Sequence, residues 1–431
     1  MKPDADLLMG FNYAADGLTV FVGVKSDAII SGIYKINEKL SQTLDYLSVR
    51  QDYYEVLNLL IRSAEENGFS GDILKRHIAS LFVKDVNLFS LARERGENLA
   101  GKTINELAYE DVSRYMSLLS YDFSELSREA GESENVTDYS PVLRRKNAVA
   151  DALSSASSVN EAFSRLSDSY EKYGAGELGN CAMFSFENGV LLPIENPDNV
   201  TFDDILFCET EHKTLRENAE AFLSGYPAGN TLLIGARGTG KSSSVKALVN
   251  EYFAEGLRLV ELSSASLSEI PALMKILAKR GKRFIVFLDD LSFSETETGY
   301  KYLKSALEGG AGKLPENVLF FATSNRRHIV SESFADRAGQ GDELHANDTV
   351  NEKLSLADRF AVTITFQNFS PDKYAQVALA LSRNIGVNLS DDEILKMAKA
   401  AGLSFSGLSG RAARNFSESL AFKYGKKVYN Q

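Results

Sequence analysis

The residues from Thr231 to Val245, TLLIGARGTGKSSSV, constrain this chain more than any other stretch. The apolar run Thr231 to Ile234 reads as a short buried strand. The octet after it, Gly235-Ala236-Arg237-Gly238-Thr239-Gly240-Lys241-Ser242, fits the spacing G-x-x-x-x-G-K-[ST] at every fixed position. Glycines at that spacing let the backbone turn tightly, so that successive N–H groups face one concavity and cradle phosphate oxygens. The lysine then reaches the outer phosphates and the serine hydroxyl coordinates magnesium. From Lys241 onward, KSSSVKALVNEYFAEG has a helical pattern, which sets the positive end of a helix dipole beneath the same anion. Gly235, Ala236, Arg237, Gly238, Thr239, Gly240, Lys241, Ser242 and Ser243 are therefore the expected phosphate-binding residues.

Beyond the loop, strands alternate with helices. Arg258–Leu262 is a short apolar run, Ser268–Arg280 reads as a helix, and Phe284–Leu288 (FIVFL) is apolar throughout, as suits a strand buried on both faces of a parallel sheet. That strand ends in Asp289-Asp290, and carboxylates at such an end lie where open α/β sheets hold ligands. Asp289 is the expected magnesium residue beside Ser242, and Asp290 the carboxylate that orients or deprotonates an attacking water. A fourth strand, Val318–Ala322, runs into Thr323-Ser324-Asn325, which places the Asn325 amide to bond that water or the terminal phosphate. Ala361–Phe366 is the fifth strand. Asp372–Ile385, Ser390–Ala401 and Gly410–Tyr424 then read as three helices, with Ser390 and Glu393 forming a capping box.

The chain before the loop is less informative. Over Ser26 to Leu126 the periodicity is helical, as in Asp52–Ala64 and Asn105–Leu119, and the aromatic and aliphatic residues on those faces read as core. Glu129–Tyr139 is polar and acidic and reads as a linker, and a further helical stretch covers Pro141 to Tyr173. Cys181–Phe186 and Val190–Ile194, separated by a segment containing Asn188-Gly189, predict a β-hairpin that joins the two parts. A net charge of −12, from 59 acidic and 47 basic side chains, disfavours nucleic acid as a partner, although Arg326 and Arg327 leave a local contact open. Two cysteines, Cys181 and Cys208, imply no disulfide framework, and the four scattered histidines no metal site. The chain has neither a basic-then-apolar leader nor an apolar run of membrane-spanning length, so a cytoplasmic location is expected.

Taken together, the phosphate loop, FIVFLDD, ATSNRRH, SLADRF and SGRAAR resemble the AAA+ ATPase set, and more narrowly a bacterial family of AAA+ proteins of unknown function. The resemblance covers roughly 199–423. It implies an α/β, P-loop AAA+ core with a five-stranded parallel sheet and a C-terminal helical lid, after a mainly helical N-terminal domain. The divisions are residues 1–173 (helical), 174–195 (hairpin), 196–368 (nucleotide-binding core) and 369–431 (lid). It also implies ATP and Mg2+ as ligands, Asn325 as the first sensor and Arg411 as the second. Arg359 would be an arginine finger presented to a neighbouring copy in a homo-oligomer, with Asp336-Arg337 a rival for that role. Hydrolysis would drive lid motion on a protein client; the alternatives are a nucleotide-binding switch with little hydrolysis, or a DNA-handling ATPase of the helicase-loader type. Two departures stand out: Asp290 where most active members have glutamate, and Ala361 where glycine often succeeds the Asp-Arg-Phe triplet.

Overall fold

The structure, a computed structural model, describes residues 5–43, 46–123, 139–141, 148–194, 196–291, 297–308, 314–325, 359–402 and 408–425. Two compact units emerge: residues 1–181 with 280–282, and residues 182–279 with 283–431. Among the described residues no helix is long and apolar enough to cross a membrane.

The first unit is helical. Helices Ala28–Thr43, Arg50–Asn67, Ile73–Lys84, Leu88–Glu94 and Thr103–Leu119 include those expected from the periodicity. The helical stretch expected from Pro141 to Tyr173 contains two described helices, Ala148–Ser154 and Val159–Tyr173. The second is started by Ser158, whose side chain accepts from the Glu161 N–H and so competes with helix continuation across the break. Phe21, Phe82, Phe89, Tyr115 and Tyr170 are buried in one core, with the Phe21 and Phe82 ring centroids 4.7 Å apart. At its edge lies a buried carboxylate, Asp111, which accepts from the backbone N–H groups of Thr19, Val20 and Phe21 and from the Arg114 guanidinium. Those N–H groups belong to a chain turn that supplies no carbonyls of its own to them, so the acid stands in for secondary structure.

The second unit is an α/β fold built on one sheet. Its strands are β1 (Met183–Glu187), β2 (Val190–Pro193), β3 (Thr231–Gly235), β4 (Leu257–Glu261), β5 (Arg283–Leu288), β6 (Val318–Ser324) and β7 (Val362–Phe366), in the order β2-β1-β4-β5-β6-β3-β7. The expected count of five is corrected to seven among the described residues. Asn188 and Gly189, at φ 53° and 77°, turn the chain as a two-residue hairpin requires, and β2 pairs antiparallel with β1. The hairpin is no mere join, because β1 also runs parallel to β4, with Met183 opposite Leu259. Alternating side chains announce a hairpin but not the sheet edge it will extend.

The remaining strands are parallel neighbours, and every residue of β6 is buried. The segment expected as one helix from Ser268 to Arg280 is instead a 3-10 turn, Ser264–Glu269, succeeded by a shorter α-helix, Ile270–Leu277. Pro271 lies in that α-helix's first turn, where its missing N–H costs nothing. Helices Pro371–Asn384, Asp391–Gly402 and Gly410–Tyr424 share a core of Tyr374, Ala378, Ile394, Ala398, Ala413 and Leu420. Ser390 and Glu393 form the expected capping box.

Replacing Asp111 tests the helical unit. Asp111→Ala leaves three N–H groups without their acceptor and takes from Arg114 the nearer of its two carboxylates, and is expected to lower unfolding free energy by about 3 kcal/mol or more in urea titration. A loss below about 0.5 kcal/mol, the level of an ordinary surface change, contradicts this reading.

Candidate active site

β3 delivers the phosphate loop directly from the sheet. Gly238 and Gly240 have φ of 74° and 105°, in the left-handed region that a side chain disfavours. Packing leaves little room for a side chain as well: a Cβ at Gly240 would sit 2.9 Å from Ile205 Cγ2, and one at Gly238 3.0 Å from Ser409 Cβ. The helix Lys241–Glu251 starts at the loop's lysine. Lys241 Nζ donates to the carbonyls of Gly235 at 2.7 Å and Ala236 at 2.9 Å. Burial holds its pKa below the ordinary lysine value, against the opposing pull of Asp289 and Asp290.

β5 brings its terminal carboxylates to the same place. Ser242 Oγ donates to Asp289 Oδ1 at 2.6 Å, so the loop hydroxyl and the strand-end carboxylate meet as the sequence predicts. Among the described residues no three of His, Cys, Asp and Glu gather into a metal-binding cluster. A divalent ion here would rest on Ser242, Asp289 and phosphate oxygens, which is how magnesium is usually held.

Thr323 is a member of the site that sequence reasoning misses. Its hydroxyl donates to Asp289 Oδ1 at 2.6 Å and accepts from the Asp290 N–H at 2.8 Å. It is buried near the end of β6, the strand lying between β5 and β3. The signal is present in VLFFATS, where two polar residues, Thr323 and Ser324, close a strand buried along its whole length. Asn325 comes directly after β6 and is half-buried at this same end.

Asp290 has φ 50°, and its Oδ2 accepts from Arg237 Nη2 at 3.1 Å. The second sensor candidate is brought close: Gly410 N–H donates to Gly238 O at 2.8 Å, and a Cβ at Gly238 would lie 3.2 Å from Arg411 Cβ. Arg359 is not gathered here. It is exposed and precedes β7, whose far end, Phe366, is the residue level with Gly235. From Val362 to Phe366 the strand advances about 13 Å, so Arg359 precedes the end of β7 away from the one level with the loop. Arg326, Arg327, Arg337 and Asp358 lie outside the described residues.

Beside the loop opens a cavity of about 270 Å³, lined by Ile205, Leu206, Gly238, Thr239, Phe369, Arg411 and Arg414 among others. Its mixed lining suits a heterocycle with polar edges. Cys208 nearby is buried and donates its thiol weakly toward Thr239 O, and burial pushes its pKa up to about 11.

Known proteins offer a family and a set of distant structural likenesses. A family model described as protein of unknown function (DUF815) matches residues 179–424. No curated protein matches the chain. Among solved structures, the Thermotoga maritima RuvB Holliday junction branch migration motor is similar at 14% identity and TM-score 0.36, over 52% of this chain and 64% of that one. A mutant of the same RuvB protein gives 15% identity and TM-score 0.36, over 51% of this chain and 64% of that one. The chain thus spans less than two thirds of the length of the solved structures it matches.

The loop helix is also held from below. His212 Nε2 lies 3.1 Å from Ser244 Oγ, both buried, while the ring packs 4.4 Å from that of Phe202. Burial, helped by the Arg216 charge, pushes the His212 pKa down to about 4. The folded-state value lies below the unfolded one, so the unfolded chain binds the extra proton between them. His212 therefore stabilises fully above the unfolded value of about 6.5 and loses that contribution as pH falls toward 4. In urea titrations at pH 7 and pH 5, wild type is expected to lose stability that His212→Gln retains, by up to about 2 kcal/mol. Equal losses in the two proteins contradict a neutral, buried His212.

Proposed function

The chain belongs to the DUF815 family of proteins of unknown function, and we propose that it is an AAA+ ATPase that binds ATP with magnesium and hydrolyses it. The single observation that carries this reading is the Ser242–Asp289 bond at 2.6 Å, which joins a phosphate-loop hydroxyl to a carboxylate at the end of another strand of the same sheet. Such a pair is what a phosphoryl-transfer site needs beneath its metal.

In this reading the loop N–H groups from Gly235 to Ser243 hold the phosphates. Lys241 turns its ammonium from the Gly235 and Ala236 carbonyls to the outer phosphate oxygens. Ser242 and Asp289 hold magnesium, whose charge, when bound, offsets that developing on the transferred group. Asp290 orients or deprotonates the attacking water and Asn325 bonds that water or the terminal phosphate. Arg411, carried on the helix that abuts Gly238, links phosphate occupancy to movement of the three-helix lid. The cavity near Ile205 and Phe369 takes the base. Arg359, which precedes the end of β7 away from the loop, serves the nucleotide of an adjacent copy, where such an arginine supplies about 10³–10⁵ in rate, or about 4–7 kcal/mol. The client of the motion is a macromolecule, and the net charge of −12 disfavours nucleic acid in that role.

A second reading, a nucleotide-binding switch with little hydrolysis, is favoured by one observation. Asp290 is shorter than the usual glutamate and is already paired with Arg237. Phosphate-release assays separate the two. The ATPase reading expects Lys241→Ala to lose binding and turnover, and Asp290→Asn to keep binding while turnover falls about 10²-fold or more. Equal turnover in wild type and Asp290→Asn removes the base role. Tight binding without turnover in wild type selects the switch.

The finger has its own check. Specific activity is expected to fall on dilution, and Arg359→Ala to lose about 10³-fold in turnover without losing ATP binding. A rate independent of protein concentration contradicts action in trans.

A further inference from the structure

Arg237 occupies a position that the phosphate-loop pattern leaves open to any residue. In this chain it reaches out of the loop to Asp290, at 3.1 Å between Nη2 and Oδ2. The two residues come from different strand ends, β3 and β5, and their meeting depends on an uncommon backbone. Among the described residues only Asn188, Phe207 and Asp290 are non-glycine residues with positive φ. At Asp290 the conformation is pinned from within, by N–H bonds to Asp289 Oδ1 at 3.1 Å and Thr323 Oγ1 at 2.8 Å. With the backbone fixed, the carboxylate is directed by what it meets outside, and that is the Arg237 guanidinium.

The pair is open to water, its side chains 74% and 59% exposed, so it is a weak, exchangeable contact rather than a structural lock. A guanidinium presents a rigid fork of donors that suits a carboxylate or a phosphate equally well, and a terminal phosphate carries more charge than one carboxylate. Lys241, the other cation of the loop, is buried beneath it, whereas Arg237 stands on its outer side.

We propose that Arg237 is a positioning residue that exchanges Asp290 for the terminal phosphate, so that Asp290 is released to act on water only when a triphosphate is in place. The proposal rests on the ATPase reading and adds to it a discrimination between ATP and ADP. A diphosphate leaves the Arg237–Asp290 pair intact; a triphosphate draws the guanidinium away.

The test is a double-mutant cycle on binding rather than turnover, using wild type, Arg237→Ala, Asp290→Asn and the double variant. Calorimetry measures each with magnesium and either ADP or a non-hydrolysable ATP analogue. Asp290→Asn frees Arg237 for the phosphate and is expected to tighten analogue binding. That gain should be about two- to fivefold larger with Arg237 present than in the Arg237→Ala background, the range of an exposed ion pair. ADP affinities, which also report that each variant is folded, are expected to show no such coupling. An equal gain for the analogue in both backgrounds, or the same coupling with ADP, overturns the exchange while leaving the ATPase reading in place. Absence of ADP and analogue binding in wild type overturns both.

Discussion

One carboxylate oxygen ties the site together. Asp289 Oδ1 accepts from Ser242 Oγ, from Thr323 Oγ1 and from the Asp290 N–H. Those three donors come from the loop after β3, from β6 and from the chain leaving β5. Hydrogen bonds to a charged acceptor are stronger than neutral ones, and three on one oxygen fix the carboxylate's rotamer. The other oxygen of the same group accepts none of these three bonds, so the cluster orients Asp289 without consuming it.

That convergence is possible only because of the strand order. β6 lies between β3 and β5, all three are parallel, and their C-terminal ends fall at one edge of the sheet. Parallel strands need crossover connections, which is why Asp289 lies 47 residues from Ser242 in sequence yet within a hydrogen bond of it in space. From the other side, the start of the helix Gly410–Tyr424 bonds Gly238, bringing a second element against the loop where Gly238 and Gly410 both lack a side chain that would crowd the other. His212 and Ser244 support the loop helix from beneath.

Much of this is legible in the residues. The loop, its strand and the helix after it come from the glycine spacing, and FIVFL leading into two aspartates marks a central strand and the end of it that meets the loop. The last three helices fall within a residue or two of the expected bounds, the middle one announced by its Ser390–Glu393 capping box. Other features depend on pairing in space. That β1 and β2 belong to the main sheet is hidden, because a hairpin's own alternation says nothing of its neighbour β4. Thr323 yields to Asn325 on sequence alone because its role exists only once β6 is set between β5 and β3. Arg237 reads as one more loop residue until Asp290, turned by a positive φ, puts a carboxylate in its path.

The most direct measurement is calorimetric titration of the wild-type protein with ATP, in magnesium and again after chelation with EDTA. Joint use of Ser242 and Asp289 under a triphosphate requires one site per chain whose affinity falls when the metal is removed. No binding, or an affinity indifferent to magnesium, would mean that the cluster around Asp289 Oδ1 is a structural contact and not the floor of an ATP site.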